Sequence, residues 1–290
     1  MALLLVHGGA TNLTSSPLND SKQGATEASC NGTDMTGKSA TDIVEAAVMA
    51  QELEPSLNAG LGSVVQMDGR IRMDAGICNS DGKYGAVMQI EHVKTPVRVA
   101  RRVMDIGYHS VLSGDGAHTF AKEQGFESQS PFTADAFDAY LKTRAQFPAL
   151  DYNALTVNVD DINVRKLGTV GAVAIDDEGR LAAACSTGGT KFCFPGRVGD
   201  SPVFGAGLYC TPEIAVCLTG EGDKILRRLT AKRVEERFLQ HGNLKKAVDE
   251  AVEDVLKIEN GYCGIIAIAR DGTAASGHST SFMAFAQRSS

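Results

Sequence analysis

No stretch of this sequence is long and apolar enough to cross a membrane. The longest apolar runs, "ALLLV" near the start and "GIIAIA" at 264–269, are the length of strands. Its seven cysteines are odd in number and include no C-x-x-C pair, so neither a disulfide frame nor a zinc site is expected. The six histidines form no H-E-x-x-H, which argues against a zinc hydrolase. G-x-S-x-G is absent, and with it the nucleophile elbow of the α/β-hydrolases. Basic charge is also short: 28 Lys and Arg against 35 Asp and Glu give a formal charge of −7. The one mixed cluster, "RRLTAKRVEER" at 227–237, reads as a solvated helix face rather than a nucleic-acid surface. "MALLLV" runs directly into "HGG" with no basic leader or cleavage site, so a cytoplasmic protein is expected and the N-x-[ST] matches at Asn12, Asn19 and Asn31 are discounted.

What is present is ordinary globular composition, 43% hydrophobic and 22% charged over 290 residues, enough for one large α/β domain or two smaller ones. A strand over 3–7 is followed by a polar stretch to Lys38 that reads as loop. Helical periodicity covers 39–54. Strands are expected at about 63–67, 70–77 and 84–91, and helices from Pro96 to Asp105, at 115–124 and at 133–145. The remainder of 126–167 is polar and aperiodic, which in a compact domain points to a functional or mobile segment. Residues 169–187 read as two apolar strands around a turn at Asp176. Further strands are expected at 203–208 and 213–218, helices at 221–238 and 243–257, and a final hairpin from Tyr262. No internal repeat is visible. Strands and helices segregate rather than alternate, which predicts an α+β fold with largely antiparallel sheets covered by helices.

Three stretches could carry chemistry. "GTDMTGKS" (32–39) satisfies the Walker A pattern, but no apolar strand precedes it, and Ser39 followed by Asp42 is a capping-box start to a helix. A nucleotide-binding protein is therefore the remote alternative. "LTGEGDKIL" (218–226) is a strand, a glycine turn and a helix start, where N–H groups can face an anion or an oxyanion. In "KLGTVGAVAID", cleavage between Gly168 and Thr169 would give Thr169 a nucleophilic hydroxyl and a free α-amine titrating near pH 8, its own general base. A β-branched residue opening a strand explains the same Thr169 without chemistry, and spacing alone favours that reading.

The ordered set "HGGA" (7–10), "LNAGLGSV" (57–64), "MDAGI" (73–77), "LGTVGAVAID" (167–176), "STGG" (186–189), "GRVGDSP" (196–202) and "TGEG" (219–222) resembles the plant-type L-asparaginase/isoaspartyl peptidases, which are N-terminal-nucleophile threonine hydrolases. The resemblance covers nearly the whole chain. It implies a four-layer αββα sandwich in a single domain over 1–290, self-cleaved into an α chain (1–168) and a β chain (169–290) that pair into a dimer of αβ units. It implies Thr169 as nucleophile, with Thr187 beside it and Thr219 with the Gly220 N–H as oxyanion hole. Arg197 would hold the substrate α-carboxylate, and Asp200 with the Gly222 carbonyl the α-ammonium. Asn58 would lie near the nucleophile's amine, beside a loop (about 52–61) holding a structural sodium through carbonyls. No catalytic cofactor is implied. The substrates would be L-asparagine and β-aspartyl peptides. Glycosylasparaginases and threonine aspartases carry Asp before the nucleophile where this chain has Gly168, so they stand as alternatives, as does an unprocessed, non-catalytic homologue. The 11–38 segment, with Lys38 where a glycine is common, departs from the family pattern and leaves the extent of self-cleavage open.

Overall fold

The computed structural model describes residues 1–12, 17–128, 130–146 and 168–290. Along the chain these form β1 (Leu3–Thr11), α1 (Pro17–Gly32), α2 (Ala40–Glu52), β2 (Met73–Asn79), β3 (Tyr84–Ile90), α3 (Pro96–Ile106), β4 (Val111–Ser113), α4 (Gly114–Glu123) and α5 (Ala134–Gln146). Beyond Gly168 follow β5 (Val170–Ile175), β6 (Leu181–Thr187), β7 (Leu208–Cys210), β8 (Ile214–Gly220), α6 (Gly222–Arg228), α7 (Thr230–His241), α8 (Leu244–Leu256), β9 (Cys263–Ala269), β10 (Ala274–His278) and β11 (Phe282–Ser289). The fold is α+β, with two sheets. One has seven strands in the order β11-β1-β5-β6-β2-β3-β4; the other has four, in the order β10-β9-β8-β7.

Alternation along β1 shows how the sheets are covered. Leu4 and Val6 join a core with Ile43, Val44, Ala47 and Val48 of α2, while Leu3 and Leu5 face Ala215, Ile266 and Ile268 of the smaller sheet. Because successive side chains point to opposite faces, a strand buried on both faces is apolar throughout, as β5 "VGAVAI" is. Small residues let the layers approach: an added Cβ at Gly171 of β5 would lie 2.3 Å from the Cys217 sulfur of β8. The smaller sheet's other face, through Ile214, Val216, Ile265 and Ala267, packs on Val234 of α7 and on Val248, Ala251 and Val255 of α8. The larger sheet interleaves the two halves of the chain. β1 lies between β5 and β11, both of which follow Gly168.

Several expectations need correction. The polar 11–38 stretch contains a helix, α1. Pro17 opens it, and the hydroxyls that looked like loop chemistry bond back to its own carbonyls: Thr26 Oγ1 to Lys22 O at 2.7 Å, Ser29 Oγ to Thr26 O at 2.9 Å. Residues 63–67 form no strand, because their backbone bonds to the loop at Phe192 and Cys193 instead of a ladder. Of 203–208 only Leu208 enters a strand. The helix expected over 221–238 is two, broken at Leu229 with a left-handed φ of 48°. The final hairpin is β9–β10 alone; β11 crosses to the other sheet beside β1. The Walker-like stretch follows a helix rather than a strand, and its Ser39 Oγ accepts the N–H of Asp42 as the cap of α2. The 147–167 stretch, expected to be functional or mobile, lies outside the described residues.

Candidate active site

Thr169 immediately precedes β5, and Thr187 ends the neighbouring β6, in which Ser186 is in register with Val170. The pairing of adjacent strand ends therefore puts the two threonines side by side. Thr169 Oγ1 donates to Thr187 Oγ1 at 3.2 Å and lies 3.2 Å from Ser201 Oγ. Thr187 Oγ1 also accepts the Gly189 N–H at 3.0 Å. With its one proton given to Thr187, the Thr169 hydroxyl accepts from Ser201, and its orientation is fixed from two sides. All three residues are buried.

The residue before Thr169 is pressed against the N-terminal strand. A Cβ at Gly168 would lie 2.4 Å from the Gly9 Cα, and Gly9, with φ of 104°, could carry none either. The "HGG" segment thus forms the floor beneath Gly168. His7 is fully buried next to Gly171, its Nε2 3.4 Å from Cys217 Sγ. Burial drives its pKa down to about 4, against the opposing pulls of the Thr169 backbone and Asp200, so the imidazole is neutral beneath Thr169.

Ser201 joins Thr169 to a second group through its neighbour Asp200. Asp200 and Arg197 converge on the Gly222 Cα: an added Cβ there would meet Asp200 Oδ1 at 2.6 Å and Arg197 Nη2 at 3.0 Å. The Arg197 guanidinium, mostly buried, pairs with Asp223 at 3.2 Å. Burial opposes its charge, but the Asp223 carboxylate outweighs this and holds its pKa above the ordinary value. Asp200 is buried with Oδ2 unpartnered among the described residues, and burial raises its pKa to about 7 although Arg197 pulls it down. A cation and a carboxylate with unused capacity thus flank one glycine, as a zwitterionic ligand requires.

Thr219, at the end of β8, is fully buried, and its Oγ1 has no partner among the described residues. Such a hydroxyl is costly unless something completes it. Gly220 follows with φ of 142°, where a Cβ would lie 2.3 Å from Tyr262 O. Asn58 bridges to the nucleophile side: Nδ2 donates to Gly189 O at 2.8 Å, and Oδ1 accepts the Val64 N–H at 3.3 Å. In the adjoining loop, Leu57 O and Pro55 O would lie 1.8 and 2.7 Å from a Gly62 Cβ. The loop therefore closes tightly on Gly62, where only a glycine fits. Glu52 lies below that loop, taking Val97 N at 2.9 Å and Ser186 Oγ at 2.5 Å on one oxygen. Burial raises its pKa to about 8.

Seven of the nine sequence-predicted site residues are joined by direct contacts or single bridging residues, and Thr219 and Gly220 lie three and two residues before Gly222 in the chain. Thr169 and Thr187 touch directly, Asn58 reaches them through Gly189, and Arg197, Asp200 and Gly222 form one cluster. Sequence reasoning missed Ser201, which follows Asp200 in the same quoted motif, and gave no signal for Glu52 or His7 as buried titratable groups.

The asparaginase family profile matches residues 1–290. The chain is similar to an isoaspartyl peptidase of Salmonella typhimurium, with 38% identity over 94% of this chain and 91% of that one. It is similar to a plant-type L-asparaginase of Pyrobaculum calidifontis at 37% identity, covering 98% and 96% respectively. An N(4)-(beta-N-acetylglucosaminyl)-L-asparaginase of Elizabethkingia miricola matches at 37% over 77% of this chain but 64% of its own length.

Proposed function

The chain belongs to the asparaginase family, and from that premise we propose that it is a hydrolase of β-aspartyl peptides and L-asparagine with Thr169 as its nucleophile. The glycosylasparaginase, threonine-aspartase and nucleotide-binding alternatives are not favoured. The observation that carries the reading is the Thr169 hydroxyl, buried and held by Thr187 and Ser201, one residue after a glycine wedged on Gly9.

In the precursor, Thr169 Oγ attacks the Gly168 carbonyl; the peptide becomes an ester, and water releases residues 1–168 from residues 169–290. The freed α-amine then serves as base for the same hydroxyl. In turnover, Oγ attacks the side-chain carbonyl of the substrate, and Thr219 Oγ with the Gly220 N–H receives the oxyanion. The unpartnered state of Thr219 supports this role, because its hydrogen bond is then made in the transition state. Ammonia or an amino acid leaves with the amine's proton, and water frees aspartate from the acyl-enzyme. Arg197 takes the α-carboxylate and Asp200, with the Gly222 carbonyl, the α-ammonium.

The helices against the outer faces of two apposed sheets support a four-layer αββα sandwich. The 52–61 loop would hold a sodium ion, supplying rigidity beside Asn58 rather than chemistry. Six buried free cysteines suit a reducing, cytoplasmic setting, and two αβ units are expected to pair.

Denaturing gel electrophoresis with N-terminal sequencing tests the reading. Two fragments are expected, one beginning Thr-Val-Gly-Ala, and Thr169→Ala should leave one chain with no amidohydrolase activity. Activity that survives Thr169→Ala would place the nucleophile elsewhere.

A further inference from the structure

Arg197 sits on an irregular loop, yet a carboxylate anchor must hold its guanidinium to within a fraction of an ångström. Asp223 pairs with the guanidinium itself, and the backbone of the loop that carries it is fixed from β3. The β2–β3 ladder shifts register between Met73 and Ala75: Met73 pairs with Ile90 and Ala75 with Val87, so Met88 and Gln89 together face Asp74. This is a β-bulge, a device that re-aims a side chain. Gln89 takes a left-handed φ of 54°, and its N–H is held by the buried Asp74 carboxylate at 2.7 Å. Its side chain then spans one peptide of the Arg197 loop. Nε2 donates to Arg197 O at 2.7 Å, and Oε1 accepts the Gly196 N–H at 3.1 Å. On its other side Asp74 is in register with Thr187, the nucleophile's hydrogen-bond partner. One bulge therefore links β6, which ends in the nucleophile's partner Thr187, to the anchor's loop.

We propose that Gln89, aimed by the Asp74 bulge, is a positioning residue that fixes Arg197 and so sets affinity for substrates bearing a free α-carboxylate. This rests on the assignment of Arg197 as the carboxylate anchor. Gln89 touches neither the scissile bond nor the oxyanion site, so its effect falls on ground-state binding of the carboxylate end.

The test is Gln89→Gly, which removes the bracket and relieves the positive φ, so the variant should fold at least as well as the parent. The expected result is a KM for L-asparagine raised about tenfold, a kcat within about twofold of the parent, and an unchanged or higher Tm. Asparaginamide, which lacks the α-carboxylate, should show no change in KM. In an Arg197→Ala background Gln89→Gly should add nothing. If Arg197→Ala raises KM and Gln89→Gly does not, the positioning role is wrong and the anchor assignment stands. If Arg197→Ala leaves KM unchanged, the anchor assignment itself falls. A Gln89→Gly variant that loses kcat at constant KM would also overturn the proposal.

Discussion

Asp200 gives the site a pH dependence whose size and sign follow from its surroundings. Its carboxyl is buried and titrates near 7, raised by burial and only partly offset by Arg197. A substrate ammonium needs the ionised form, and ionisation increases as pH rises, so affinity for amino-bearing substrates rises through this window. With a pKa of about 7, roughly 3% of the free enzyme carries ionised Asp200 at pH 5.5 and roughly 76% at pH 7.5, about a 25-fold difference. An α-amine freed at Thr169 by the proposed cleavage would titrate near pH 8 and confuse a single profile. The informative quantity is therefore a ratio: kcat/KM for L-asparagine divided by kcat/KM for succinamate, which has the same amide and carboxylate but no ammonium. The amine's titration is common to both and cancels. The ratio should climb about tenfold per pH unit below pH 6.5 and flatten above pH 7.5. Asp200→Asn should remove the climb and lower kcat/KM for L-asparagine at pH 7.5 by about 30-fold or more, the consequence of losing one member of a buried charge pair. A ratio that stays flat in the parent enzyme, or falls with pH, would refute the assignment of Asp200 to the ammonium.

Two further predictions concern groups with unsatisfied or displaced chemistry. Thr219→Val deletes a buried hydroxyl that has no partner among the described residues, so the variant should be at least as stable in chemical denaturation while kcat falls by about 10²–10³. Unchanged kcat would take Thr219 out of the oxyanion hole. Glu52 has a folded pKa of about 8 against an ordinary 4.5, so its protonated form is favoured on folding. The stability it contributes is complete below about pH 4.5 and is lost as pH rises to about 8, up to roughly 5 kcal/mol in all. Glu52→Gln, which keeps an acceptor for Val97 and Ser186, should escape this loss, and its unfolding free energy should exceed the parent's increasingly from pH 5 to pH 8. Parallel curves for the two proteins would show that Glu52 is ionised in the fold.

The legible parts of this fold were those in which one physical signal dominated. The helix at 40–52 announced itself through its cap and periodicity, and β5 and β6 through unbroken apolar runs. The hidden parts depended on partners remote in sequence. α1 is polar because its hydroxyls satisfy its own carbonyls and its buried face meets β1 and β11, at opposite ends of the chain. The apolar residues at 63–67 are buried without being a strand, because the loop at Phe192 and Cys193 supplies their bonds. At the site, the residues of the quoted motifs were found, while Ser201 was masked by its more conspicuous neighbour Asp200. Gln89 was invisible because only the bulge, a property of two strands together, aims it at Arg197.

The interleaving of the larger sheet bears on what the proposed cut between Gly168 and Thr169 would do to stability. β1 runs between β5 and β11, and β2 lies against β6, so the shorter fragment would contain the whole smaller sheet and grip the longer one along three strand edges. A cut leaves this grip intact in the native state but changes the unfolded state from one chain to two. Unfolding then becomes a dissociation, its midpoint depends on protein concentration, and the return path is a bimolecular encounter between two incomplete sheets. A chain that unfolds before the cut can refold alone; after it, longevity would rest on the rate at which β1 leaves its slot and β2 its edge on β6.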